Sequence, residues 1–342
     1  MKHSIDLNSL SDDELLELRL CDLPYSVADS PVAPWVSQFL NELEQHGLVF
    51  KPEIYFADEW LCPEGVPVIG IPFYLAHTRL SALEKNMMLD VEGGQQNEFM
   101  RIIRHEMGHA VKYAYRLRKQ KKWRELFGHP MQEESDYYRF KKYSRNFVHN
   151  IENFYAQSHP DEDFSETFAV WLNPDSAWSE RYKHDPVLKK LNYVDMIMKK
   201  CRSMPSQVAV TTRYFNIKYS KKRLKTYYKE KKKIYASDYP DYYDQELLCI
   251  FTIPPEEGLP KDAMNADTFF KMNKLMIINT VARWTRERKY IVAQLVTTFI
   301  RRAHEKKLIC RTGDKETLAH VIACATAMVK NYQITAQFKE GE

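Results

Sequence analysis

The chain has no apolar run of the ~20 residues that a membrane span needs. Its most apolar late stretch, Leu318 to Val329, is too short, so no membrane partner is expected. Neither sign of charge dominates: 50 Lys and Arg face 46 Asp and Glu, and a net +4 does not by itself call for a polyanionic partner. Cys21, Cys62, Cys201, Cys249, Cys310 and Cys324 are scattered without a Cys-x-x-Cys pair, and their even number alone would also allow disulfides. Met1-Lys2-His3-Ser4-Ile5-Asp6 lacks the apolar core and cleavage site of a secretory signal. The six thiols are therefore expected to be reduced and the protein cytoplasmic. There is no internal repeat. What is present is 44% apolar and 13% aromatic residues over 342 positions, enough for a buried core and two domains.

Against that background stands Arg104-His105-Glu106-Met107-Gly108-His109-Ala110. A His-Glu-x-x-His run in a helix sets two imidazoles one turn apart on one face, where both can ligate one zinc ion. The glutamate between them is then placed to take a proton from a metal-bound water. Phe99, Ile103, Met107, Ala110 and Ala114 recur every three or four residues. That spacing predicts a helix over about 97–118, with His105 and His109 roughly opposite the apolar stripe. Gly108 costs a helix interior about 1 kcal/mol relative to alanine. It is understandable where another segment must approach closely beside the histidines.

A catalytic zinc needs a third protein ligand, with the fourth position left to water. Lys112 and Tyr115 stand where a metzincin would carry Gly and His, so the third ligand is expected downstream. Pro160 followed by Asp161, Glu162 and Asp163 is a helix-start signature. In that helix Phe164, Phe168, Trp171 and Leu172 form the core stripe, while Glu162, Glu166 and the small Ala169 share the other side. Glu166 is the expected ligand and Glu162 the reserve. Asp163 is a candidate to orient a ligand histidine.

His105-Glu106-x-x-His109 with a later glutamate in an acid-rich helix resembles the gluzincin metallopeptidases. Phe164-Ser165-Glu166-Thr167-Phe168-Ala169 is closer to the Glu-bearing helix of the lethal-factor type than to the Asn-Glu-x-x-Ser-Asp form of the thermolysin type. Residues 69–77 (Ile-Gly-Ile-Pro-Phe-Tyr-Leu-Ala-His), 104–111 and 157–174 are similar to a family of bacterial zinc-binding metallopeptidases, a likeness covering about residues 15–200. The resemblance implies Zn2+ held by His105, His109 and Glu166, with Glu106 as base. In the lethal-factor type, a tyrosine seven residues before the ligand glutamate stabilises the oxyanion. Counted from Glu166 that position is His159, a departure, and Tyr155 is the other candidate.

Along the rest of the chain, Ser11-Asp12-Asp13-Glu14 is a capping box opening a short helix through Leu20. Pro34 to His46 reads as a helix ended by Gly47. Strands are expected at 48–56, at 66–75 with a bulged or edge position at its prolines, and at 87–91. The last two of these leave open which strand edge a peptide substrate would join by main-chain hydrogen bonds. The segment 119–158 carries Tyr137, Tyr138, Arg139, Tyr143, Arg145 and Tyr155, of which Arg145 or a tyrosine is a candidate grip on substrate. Residues 199–233 hold thirteen Lys or Arg against one acid, Glu230, interleaved with Tyr219, Leu224, Tyr227 and Tyr228, with Tyr235 just beyond. That run reads as a solvated connector helix in preference to a nucleic-acid surface, because no nucleic-acid motif accompanies it. An acidic stretch with four prolines follows, and the remainder reads as helices, including one starting at Asp314.

The expected fold is α+β: a zincin-like lobe over 1–215 with a small mixed sheet, a basic helix and acidic linker over 216–262, and a helical domain over 263–342. The expected function is zinc-dependent hydrolysis of a peptide or related amide bond, with a peptide or protein as substrate. The rivals are an inactive scaffold stapled by zinc and a nucleic-acid-associated protein using 199–233. No oligomeric state follows from the sequence.

Overall fold

Ser11 opens the first helix as its spacing predicts. Its hydroxyl accepts from Glu14 N while Glu14 reaches back to Ser11 N, giving α1 (Asp12–Glu17) with Leu15 buried beneath it. The helix stops at Leu18, short of Leu20, because the backbone turns extended there. The computed structural model describes residues 5–23, 26–131, 140–210, 215–235, 243–254, 264–310 and 314–335. Tyr137, Tyr138, Arg139 and most of the acidic proline-bearing stretch lie outside them. The described chain is α+β and mostly helical. It divides into two compact units, Met1–Met87 with Val91–Tyr228, and Met88–Asp90 with Lys229–Glu342.

In the first unit α2 (Ala33–Gln45) ends where Gly47 takes φ +70°. β1 (Glu53–Ala57) and β2 (Val68–Pro72) pair in parallel, with Tyr55 opposite Gly70. Both are shorter than their apolar runs, since Pro52, Pro67 and Pro72 withhold the N–H that a ladder needs. Leu61 bridges Gly70 and Asn216 bridges Ala57, so both edges of this small sheet are partly occupied. The expected strand at 87–91 is not one. α3 (Thr78–Met88) runs into it and Leu89 takes a left-handed φ of +64°. A short apolar run carries no period long enough to separate strand from helix end.

α4 (Gln96–Ala114) carries the His-Glu-x-x-His run, and Phe99, Ile103, Met107, Ala110 and Ala114 are all fully buried on its core side. Arg104 is locked to α2 by two charged hydrogen bonds, Nε and Nη2 each 2.8 Å from a Glu42 carboxylate oxygen, both side chains buried. After α5 (Lys121–Phe127), α6 (Pro160–Leu172) begins at the predicted proline and lies against α4 with every residue buried. α7 (Trp178–Arg181), α8 (Leu188–Cys201) and α9 (Leu224–Ile234) follow.

Gly108 is where α4 and α6 come closest. A Cβ there would sit 2.6 Å from Ser165 Cα and 3.0 Å from Ser165 O, which are backbone atoms that cannot rotate away. Gly108→Ala is therefore expected to destabilise the protein by about 1–3 kcal/mol through overpacking, despite alanine's better helix propensity. A urea titration showing an unchanged or higher midpoint would refute that close contact.

Within the basic run, Leu224, Tyr227 and Tyr228 are core residues, Tyr227 Oη donates to Asp58 O at 3.0 Å, and Arg223 and Lys225 pair with Glu17. These three positions of its stripe are thus spent on internal packing, while Tyr219 is exposed. The second unit comprises α10 (Asp244–Ile250), the short antiparallel pair β3 (Phe251–Thr252) and β4 (Ile309–Cys310), α11 (Ala266–Thr285), α12 (Lys289–Glu305) and α13 (Asp314–Thr335). Val292, Leu295, Val296 and Phe299 of α12 join Val321, Ala325 and Val329 of α13 in one core, as their spacing predicts. Among the described residues no helix is long and apolar enough to cross a membrane.

Candidate metal centre

One turn of helix separates His105 from His109, and the two Nε2 atoms lie 3.0 Å apart. Glu162, one turn into α6, brings Oε2 to 3.0 Å from His105 Nε2 and 3.2 Å from His109 Nε2. A tetrahedral zinc at roughly 2.0–2.1 Å from each ligand holds its donors about 3.3 Å apart. These three atoms are spaced closely enough to share one ion. They form the His-His-carboxylate group capable of holding a metal among the described residues.

Glu166 stands elsewhere. Its Oε1 accepts from His105 Nδ1 at 2.8 Å and from Asn150 Nδ2 at 2.9 Å, and its Oε2 accepts from Ile151 N at 2.7 Å. This carboxylate, fully buried, holds a proton on His105 Nδ1, so the neutral form of the ring carries its lone pair on Nε2, toward Glu162 and His109. The geometry therefore exchanges the two glutamates of the sequence expectation, with Glu162 at the convergence point and Glu166 behind the first histidine. Four residues apart, both share a helix face. The sequence signal was present in Glu162-x-x-x-Glu166, but which of the pair leads depends on how far α6 is shifted along α4. Asp163, the other candidate to orient a histidine, receives Lys190 Nζ at 2.5 Å instead.

His109 is held from behind by Lys112, whose Nζ lies 2.9 Å from His109 Nδ1 and donates to Asp161 Oδ2 at 2.9 Å. Arg118 also pairs with Asp161. No sequence pattern pointed to this completely buried lysine, one turn beyond the second histidine. Burial, with the Arg118 charge adding to it, pulls its ammonium down to about 7. Burial also depresses the His109 imidazolium. It acts the same way on His105, but there the hydrogen bonds that the charged ring donates to the Glu162 and Glu166 carboxylates outweigh it and the group is raised. Glu106 is buried beside them, and its carboxyl is pushed up to about 7, first by burial and further by the Glu162 charge. A general base for neutral pH works best in that range.

His159 and Tyr155 are both nearby in sequence but do different things. His159 caps α6, its Nδ1 accepting from Asp161 N at 3.1 Å. Tyr155 lays its ring against His105, centroids 5.6 Å apart. Asn153 and Phe154 just before it adopt left-handed φ of +59° and +57°, roughly 1–3 kcal/mol each for residues other than glycine. Arg145 is paired with Asp185 and donates to His184 O at 3.0 Å, so it straps the chain after α7. Tyr143 is exposed.

Residues 96–204 match the model of a family described as "Putative zinc-binding metallo-peptidase". No curated protein and no solved structure gives a match. The matched segment contains α4, α6 and every side chain of the three-donor cluster. The part of the chain that builds this centre, residues 96–204, is thus similar to a zinc metallopeptidase family.

Proposed function

We propose that the protein is a gluzincin-type peptidase that hydrolyses a peptide or related amide bond at a zinc ion held by His105, His109 and Glu162. The observation that carries this reading is the approach of His105 Nε2, His109 Nε2 and Glu162 Oε2 to within 3.0–3.2 Å of one another beside a buried glutamate. Zinc in such a site polarises a carbonyl and lowers the pKa of water to about 7.

The chain's own groups account for the remaining roles. Glu166 keeps the His105 proton on Nδ1 and leaves Nε2 as a donor atom. Glu106 accepts a proton from the water whose oxygen adds to the scissile carbonyl carbon. It returns that proton to the departing amine nitrogen as the C–N bond breaks. Counting back seven residues from Glu162 rather than Glu166 reaches Tyr155, so the position expected of the lethal-factor tyrosine is filled by a tyrosine after all. Its hydroxyl is the group we assign to the developing oxyanion. His159 is left to cap the helix.

Incubating the zinc-loaded protein with a mixture of unstructured peptides and reading the products by mass spectrometry tests the proposal. New termini are expected with zinc and none after chelation. Identical digests with and without the metal would remove the peptidase reading.

A further inference from the structure

The segment that delivers Tyr155 is built in an unusual way. Asn153 and Phe154 both sit in the left-handed region, which bulky side chains rarely adopt and which occurs mainly at single residues. Phe154 is the residue from which the one-turn helix Tyr155–Gln157 starts, so its backbone sets the direction in which Tyr155 leaves. If the chain merely had to turn, glycine or asparagine would do so with less strain. A phenylalanine stays there because its ring is gripped. It stacks on Phe140 at 4.8 Å and 22°, and meets the His149 ring edge-on at 5.2 Å and 74°. Both ends of the loop are tied as well. Lys141 and Gln157 exchange two hydrogen bonds, at 2.8 and 3.2 Å, and Asn150 and Ile151 are anchored on Glu166.

We infer that Phe154 is a positioning residue: its left-handed backbone, clamped between Phe140 and His149, holds the Tyr155 ring against His105. Strain of this kind persists where surrounding contacts over-determine it. Its role in turnover rests on the peptidase reading above, whereas the placement of Tyr155 can be read without turnover.

The test compares Phe154→Gly, Phe154→Asn, Phe154→Tyr and Tyr155→Phe with the parent protein. Glycine and asparagine both accept the left-handed turn but lack the clamp, so one serves if the other fails to fold. Tyrosine keeps the ring. Each is loaded with cobalt in place of zinc, and the paramagnetic shift of the Tyr155 ring is followed by NMR, assigned by its loss in Tyr155→Phe. Zinc content and kcat and KM on a cleaved peptide are measured in parallel. The glycine and asparagine variants are expected to bind zinc as the parent does, to lose the shifted Tyr155 signal, and to fall about tenfold to a hundredfold in kcat with KM little changed. Phe154→Tyr should restore both. An unmoved signal in the glycine and asparagine variants overturns the inference, even if Tyr155→Phe proves inactive and so upholds the catalytic reading. A lost signal alongside a fully active Tyr155→Phe would support the positioning and sink the oxyanion role.

Discussion

Glu162→Ala protein is expected to lose most of its zinc, and Glu166→Ala protein to keep a weakened but measurable site. Glu162 Oε2 is the only one of the two carboxylates whose oxygen meets both Nε2 atoms, at 3.0 and 3.2 Å. Removing it leaves two imidazoles, which hold zinc poorly at a site made for three protein ligands. Glu166 touches His105 from the far side of the ring, at Nδ1. Loss of such an outer partner typically costs 10- to 100-fold in metal affinity, because the ring loses its tautomer preference and its orientation. Competition against a chromophoric chelator gives both constants, with His105→Ala as the reference for a lost ligand. The opposite order, Glu166→Ala emptied and Glu162→Ala loaded, would mean that metal binding slides α6 along α4 and that the geometry described above is not the holding one.

The second large effect is on turnover. Glu106→Gln is expected to retain zinc and lose about 10²- to 10⁴-fold in kcat, the range spanned by general acid–base catalysis. The amide has the shape of the carboxyl but cannot accept a proton from water. Glu106 is not among the three converging donors, so the metal should be indifferent to the change. Burial raises its carboxyl to about 7, so the replaced group was able to both take and release a proton near neutrality. Full activity with full zinc in Glu106→Gln would turn the ion into a structural staple and leave the scaffold alternative standing.

What could be read beforehand was what is local. The apolar stripe from Phe99 to Ala114 fixed the helix and its outer face, and Pro160 with its three acids fixed the start of the next. Even the close approach at Gly108 was legible, since a glycine in a helix needs a reason. The order of Glu162 and Glu166 was not, because both lie on one face and only the packing of two helices decides between them. Lys112 was equally hidden. A lysine one turn past a histidine reads as a solvated side chain until Asp161 and Arg118, from other parts of the chain, enclose it. The segment 87–91 misled for a third reason: it ends a helix by a left-handed leucine, a conformation no periodicity announces.

α6 places Asp161, Glu162, Asp163 and Glu166 in the interior, and no counter-charge for any of them comes from α6 itself. Asp161 depends on Lys112 and Arg118, Glu162 on two histidines, Asp163 on Lys190, and Glu166 on His105 with the Asn150–Ile151 turn. Burying four carboxylates without those partners would carry a large desolvation penalty. The helix at the heart of this lobe therefore leans on charges and donors drawn from several other segments of the chain, as a keystone leans on the stones on either side.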